Sequence, residues 1–186
     1  MTGLPARGRG GLHREKGACH MSTRDNLRLA LDTEVRNREL YLAFAEKAEA
    51  EDLRQLARLF RATAESELVH ARIQMEALGT IGSSVDNLRY AVASEEREFQ
   101  DSYAEYLLQA QKEGNSRAAA LFGQILKVER EHHRMFLDAL AKLLARQDLA
   151  DAPVYVCSTC GNTVVGKRPE KCEFCGSPAE AFNEVA

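Results

Sequence analysis

The sequence has no tryptophan and only 6% aromatic residues. Its apolar content rests on Ala and Leu with Glu, Arg and Gln between them, which is a helical rather than a sheet composition. Strong charge of one sign is also missing. The formal net charge of −3 is too small to steer the chain to nucleic acid or a membrane surface. No apolar run approaches the ~18 residues a spanning helix needs, and no h-region of a secretion signal is present. Neither nucleic acid nor membrane is therefore an expected partner, and the expected location is cytoplasmic. A length of 186 residues suits one medium domain, or one domain with a small appendage.

Residues 1–22 read as a disordered basic extension. The stretch MTGLPARGRGGLHREKGACH is Gly-rich and without periodicity, and Arg7, Arg9, Arg14 and Lys16 outweigh Glu15. Met21 reads as an alternative start, with a basic targeting tail as the other reading, and Cys19 as a bystander. The expected organisation beyond it is a helical body over 23–146, a polar linker over 147–153 and a cysteine-bearing tail over 154–186.

Within the body, breaks at Glu51–Asp52, Gly79–Asp86 and Gly114–Ser116 separate helices expected at 23–50, 52–78, 87–113 and 116–146. Gly79 and Gly114 suit left-handed positions after a helix end. Asp52 with Gln55 forms a potential capping box, and Asn115 or Ser116 can cap the last helix. Four long helices of this kind are typical of a bundle.

Each helix carries an apolar stripe at 3.6-residue spacing, and on each the stripe is interrupted by ionisable residues. The first runs Leu27, Leu31, Glu34, Tyr41, Ala45, Ala48, and the second Leu53, Leu56, Phe60, Glu67, His70, Leu78. The third runs Leu88, Ala91, Glu95, Glu98, Ser102, Tyr106, and the fourth Phe122, Ile125, Glu129, His132, Phe136. A single polar residue on such a stripe is unremarkable. Here Glu67-Leu-Val-His70 and Glu129-Arg-Glu-His132 repeat one motif, with carboxylate and imidazole one turn apart on one face. Single Glu residues on two helices with Glu-x-x-His on the other two form the ligand pattern of ferritin-like di-metal carboxylate proteins.

Depth along the hairpins agrees. Glu34 lies 17 residues before Glu51 and Glu67 16 after it, while Glu98 lies 16 before Gly114 and Glu129 15 after. At ~1.5 Å rise per residue, both pairs stand about 24 Å from their turns. Five carboxylates and two imidazoles are too many for one ion and enough for two, and mixed oxygen and imidazole donors suit iron or manganese. Tyr41 and Tyr103 read either as partners of these ligands or as ordinary core aromatics. His133, Glu39, Glu96 and Glu131 point off the stripes and are expected on the solvated face.

In the tail, Cys157-Ser-Thr-Cys160-Gly and Cys172-Glu-Phe-Cys175-Gly are two knuckles separated by eleven residues. Such pairs make tetrahedral four-thiolate coordination easy, for zinc or for iron. Disulfides are the weaker reading for Cys-x-x-Cys spacing in a chain without a secretion signal.

Taken together, TAESELVHA (Thr63–Ala71), NLRYAVASEEREF (Asn87–Phe99), VEREHHRMF (Val128–Phe136) and CSTCG…PEKCEFCG (Cys157–Gly176) resemble the rubrerythrin family over about residues 24–185. That family joins a ferritin-like di-iron four-helix bundle to a C-terminal rubredoxin-like domain. The resemblance implies di-iron ligands at Glu34, Glu67, His70, Glu95, Glu98, Glu129 and His132, with Tyr41 and Tyr103 nearby. It implies a third iron on Cys157, Cys160, Cys172 and Cys175. Glu173 stands where rubredoxin-like knuckles usually have Pro, so zinc stays open at that site.

The implied activity is reduction of hydrogen peroxide to water in oxidative-stress defence. Electrons would come from an external donor, either rubredoxin or a nicotinamide-dependent reductase, through the cysteine-bound iron. In the family, the counterparts of Glu98 and His70 exchange at one iron with redox state. The resemblance further implies a homodimer or higher oligomer, with the cysteine site of one subunit near the di-iron site of another. A ferroxidase or iron-handling role, and a scaffold with a structural zinc ribbon, are the alternatives.

Overall fold

The computed structural model describes residues 21–185, so the disorder expected of residues 1–20, Cys19 included, lies outside the described residues. The chain divides between Thr80 and Ile81 into two compact units. Each is built on a helical hairpin.

The first unit consists of α1 (Thr23–Ala50) and α2 (Arg54–Leu78). Ser22 starts α1 through a capping box, accepting the Asp25 N–H at 3.1 Å while Asp25 accepts the Ser22 N–H at 3.2 Å. The expected Asp52–Gln55 box does not form. Asp52 instead takes a left-handed conformation (φ 59°) in the turn, and α2 begins two residues late at Arg54 with no side-chain cap. Asp tolerates that conformation because its short polar side chain bonds locally, and the turn closes through Leu53 N–H to the Ala48 carbonyl at 2.8 Å.

The packing seam also differs from the expected stripe. The buried residues of α2 are Ala57, Ala64, Ala71 and Leu78, a seven-residue repeat, and Ala57 packs with Ala45 and Ala48 of α1. Alanine at this period lets two helices approach closely along a narrow line. The larger Leu53 and Leu56 are exposed.

The second unit holds α3 (Ser84–Arg97), a π-helical turn (Glu98–Ser102), α4 (Tyr103–Lys112), α5 (Ser116–Leu144) and a three-stranded ribbon. α3 starts three residues earlier than expected because Ser83 is its N-cap, accepting the Asp86 N–H at 3.2 Å. Gly79 and Gly114 adopt the left-handed positions expected of them, at φ +64° and +68°. Asn115 caps α5 by accepting the Ala118 N–H at 3.1 Å.

The π turn was not legible in the sequence. One extra residue in the turn delays the helical register, so the inward face continues through Tyr103, Leu107 and buried Ala110 rather than through Ser102 and Tyr106.

The ribbon pairs β1 (Val154–Cys157) antiparallel with both β2 (Thr163–Val165) and β3 (Phe182–Val185), in the order β2-β1-β3. Its core is Cys157, Cys172 and Phe182, flanked by Tyr155, Val164 and Phe174. A core this small needs a further clip. No helix among the described residues is long and apolar enough to cross a membrane.

Candidate metal centres

Three clusters of potential ligands stand among the described residues: Glu34, Glu67 and His70; Glu95, Glu129 and His132; and the four tail cysteines. Within each cluster the donor atoms lie within 4.8 Å of one another.

In the first unit, the Glu-x-x-His turn of α2 sets His70 Nδ1 at 3.1 Å from Glu67 and 3.6 Å from Glu34 on α1. Hydrogen bonding between the two carboxyls raises Glu34 and lowers Glu67. Gln74, one turn beyond His70, faces Glu34, and its Oε1 is buried without a hydrogen bond among the described residues. The His70 ring is 47% exposed. Tyr41 stacks on Phe60 at 6.3 Å and lies 6.2 Å from Phe44, an aromatic cluster beside the alanine seam.

The second unit repeats the arrangement with different surroundings. His132 Nδ1 is 2.8 Å from Glu129 and 3.9 Å from Glu95 on α3. Burial, reinforced by Glu129, pushes Glu95 up to about 7. The hydrogen bond to His132 lowers Glu129, and the same bond raises His132. Glu98 is raised by burial and by the charge of Glu129.

The π turn starts at Glu98, whose carbonyl accepts the Tyr103 N–H, and brings Tyr103 round to the carboxylate face. Burial and then the charges of Glu98 and Glu129 raise the Tyr103 phenol. His133, expected on the solvated face, is half-buried against Phe99, with ring centroids 5.3 Å apart. Packing space beside Phe99 accounts for it, and it joins neither cluster. Glu131, also expected there, is half-buried and paired with Arg134 at 2.5 Å.

The knuckles bring four thiols together, with Cys157–Cys175 and Cys160–Cys172 Sγ separations of 3.7 and 3.5 Å. A disulfide needs ~2.05 Å; the cysteines are free. A tetrahedral ion with metal–sulfur distances of ~2.3 Å has sulfurs ~3.8 Å apart, so the donor set fits a tetrahedral metal. Burial pushes the Cys160 thiol up to about 12, whereas hydrogen bonds from Ser177 hold Cys175 down to about 6. Cys175 is therefore already a thiolate at neutral pH, ready as a first ligand.

A family model for rubrerythrin matches residues 25–140, the greater part of the helical body with both Glu-x-x-His motifs. The chain belongs to the rubrerythrin family. It is 34% identical to the rubrerythrin of Porphyromonas gingivalis over 179 residues, covering 88% of this chain and 90% of the relative. It is 30% identical to nigerythrin of Nitratidesulfovibrio vulgaris over 175 residues, covering 87% and 85%. Among solved structures it is similar to partially reduced nigerythrin, with a TM-score of 0.53 and 28% identity over 93% of this chain and 91% of that one. The fully reduced, all-ferrous nigerythrin gives the same TM-score of 0.53.

Membership accounts for a chain that joins ferritin-like helices to a small cysteine-rich sheet. The cofactors are those of rubrerythrins, a di-iron pair and a rubredoxin-like iron, and this chain carries a donor set for each. The ribbon lies on α5 of its own chain, with His132 Nε2 3.1 Å from Thr163 Oγ1. Thr163 and Gln74 are the residues that sequence reasoning missed. A polar residue one turn from a ligand could have pointed to Gln74, but nothing local points to Thr163.

Proposed function

We propose that this rubrerythrin is a peroxidase of oxidative-stress defence, reducing hydrogen peroxide to water with electrons that enter through the cysteine-bound iron. The observation that carries this reading is the juxtaposition in the second unit, where the ribbon that holds the four thiols is hydrogen-bonded through Thr163 to His132 of the carboxylate–imidazole cluster. Iron storage gives no role to a redox-capable tail in that position.

In this reading Glu34, Glu67, His70, Glu95, Glu98, Glu129 and His132 supply the ligands of two irons, and Cys157, Cys160, Cys172 and Cys175 those of the third. Bound ferrous iron at the first set supplies the two electrons that peroxide needs. The chain's own groups do the rest. The proton of Glu95, whose pKa is held up at about 7, is displaced when cations load. Tyr103, beside Glu98 and Glu129, offers a phenol proton near the carboxylates. His70 is hydrogen-bonded at Nδ1 alone and is half-exposed, which suits a ligand that exchanges with Glu98, whereas His132 is bonded at both ring nitrogens. Residues 23–146 form the reacting body and 154–186 the electron entry. The external donor is rubredoxin or a nicotinamide-dependent reductase, and the soluble unit is a homodimer or larger.

Anaerobic metal analysis with a visible spectrum, followed by one addition of peroxide, tests this. The expected result is two irons in the Glu/His sets, one in a red cysteine centre, and stoichiometric oxidation by peroxide. Many irons per chain would favour storage, and a colourless zinc-loaded tail would favour a scaffold.

A further inference from the structure

The connection between the two helical hairpins is short. α2 ends at Leu78 and α3 begins at Ser84, so residues 79–83 join them. Nor is this stretch slack. Thr80 is held on α2, its N–H and its hydroxyl both donating to the Met75 carbonyl at 3.1 Å. Gly82 is held on α3, where its N–H and carbonyl bond the Asn87 amide at 2.9 and 3.2 Å. Ile81 alone lies between the two anchors, and it is exposed.

A ferritin-like bundle joins its two hairpins by one long crossover, which returns along the bundle so that the second and third helices run parallel. Here that return would follow the 25 residues of α2, a length of about 37 Å. Fully extended, residues 79–83 reach about 20 Å from one helix to the next. A single chain therefore cannot close a ferritin-like bundle from its own two hairpins. The α1–α2 hairpin, for its part, lacks a cover. Its fully buried side chains are alanines and Leu78, while Leu56, Leu59 and Ile73 are exposed on the flank of α2 that carries His70.

We propose that two copies of this chain exchange hairpins: α1–α2 of one copy closes on α3–α5 of the second, and each di-iron site is shared between chains. Glu34, Glu67 and His70 of one copy complete the set that Glu95, Glu129 and His132 of the other begin. A second copy is the occupant because it brings what each hairpin lacks, helices to cover the apolar flank and the other three donors of a two-metal site. Exchange in both directions gives a closed two-fold dimer with two sites. This inference rests on the ligand assignment proposed above, not on peroxide as the substrate.

Complementation between full chains tests it. One copy carries Glu34→Gln and Glu67→Gln, and a second, with a different affinity tag, carries Glu95→Gln and Glu129→Gln. The carboxamides keep the shape of each side chain and remove its charge. Mixed dimers from co-expression are isolated through both tags and loaded anaerobically with Fe2+. Helical iron is counted after subtracting the cysteine centre, read from its visible spectrum. In an exchanged dimer the two damaged halves meet in one site, and the other site keeps every native ligand. The mixed dimer is expected to hold half the native helical iron, against almost none in either variant alone. A mixed dimer as empty as its parents would overturn the proposal, because unexchanged chains put one damaged half in every site. A native chain that is monomeric by light scattering with its full iron would overturn it too.

A second arm does not depend on the ligands. Inserting ~20 Gly and Ser residues after Ile81 gives a connection long enough to return along α2. Closure within one chain then wins at micromolar protein, because the tethered hairpin has a millimolar effective concentration. The mass by light scattering should fall from dimer to monomer, and an inserted chain that keeps the dimer mass would overturn the proposal. Gln variants that alone kept native iron would sink the ligand assignment and leave the insertion to decide the exchange. A mixed dimer that recovers iron but does not react with peroxide would sink the peroxidase reading and leave this one standing.

Discussion

The two Glu-x-x-His clusters are nearly interchangeable as sequence and unequal as structure. In the first unit, Glu67 and the half-exposed His70 face Glu34 on a hairpin whose buried seam is mostly alanine. In the second, Glu129 and His132 face Glu95 under the ribbon, and the side chain of His132 is 25% exposed against 47% for His70. An identical motif thus yields one imidazole bonded at both ring nitrogens and one bonded at a single nitrogen. The difference comes from what packs on the helix rather than from the helix.

The largest expected effect erases both sides of that contrast. Glu67→Ala or Glu129→Ala should abolish peroxide-dependent oxidation of the reduced protein while sparing the visible spectrum of the cysteine centre. A Glu67→Ala chain turning over peroxide at the native rate would remove the first cluster from the site. Next, Cys172→Ser should do the reverse. The reduced helical clusters should still be oxidised by peroxide, but external reduction should stop, which stopped-flow mixing with a reductant would show.

A third effect belongs to the second cluster. Glu95, raised to about 7, and His132, also raised, bind protons more tightly in the folded chain than in the unfolded one. Their contribution is fully present below the unfolded values of about 4.3 and 6.5 and is lost as pH rises through the folded ones. The melting temperature of the metal-free chain should therefore fall between about pH 5 and neutrality, and Glu95→Gln should flatten that slope. A slope that persisted in Glu95→Gln and vanished in Glu34→Gln would move the effect to the first unit.

The smallest effect should be equal on both sides. Ser22→Ala and Ser83→Ala each remove a cap that accepts a backbone N–H, at a cost of about 1 kcal/mol. Urea unfolding should give similar values for the two, which would assign the asymmetry of the clusters to the ribbon and not to helix starts.

Much of this is legible in the sequence. The three-residue spacing of Glu67 to His70 and Glu129 to His132 fixes carboxylate and imidazole on one helical face. The Gly79 and Gly114 turns followed from the same local rules. Asp52 was misread because a capping residue and a left-handed turn residue share one chemistry, and the closure of Leu53 onto Ala48 decided between them. The alanine seam was hidden beneath larger apolar neighbours, since periodicity counts hydrophobicity and not how closely two backbones approach. The π turn left no pattern because it inserts a register shift rather than a residue type.

The amino-acid sequence alone determined the donor chemistry: which helices carry carboxylate and imidazole, and that four thiols close on one tetrahedral ion. Those are properties of short spacings in a helix or a knuckle, where covalent geometry leaves little choice. Only the tertiary structure decided which histidine is anchored. Thr163 and His132 are 31 residues apart, and the hydrogen bond between them exists because a folded ribbon rests on α5, a long-range placement that no local spacing encodes.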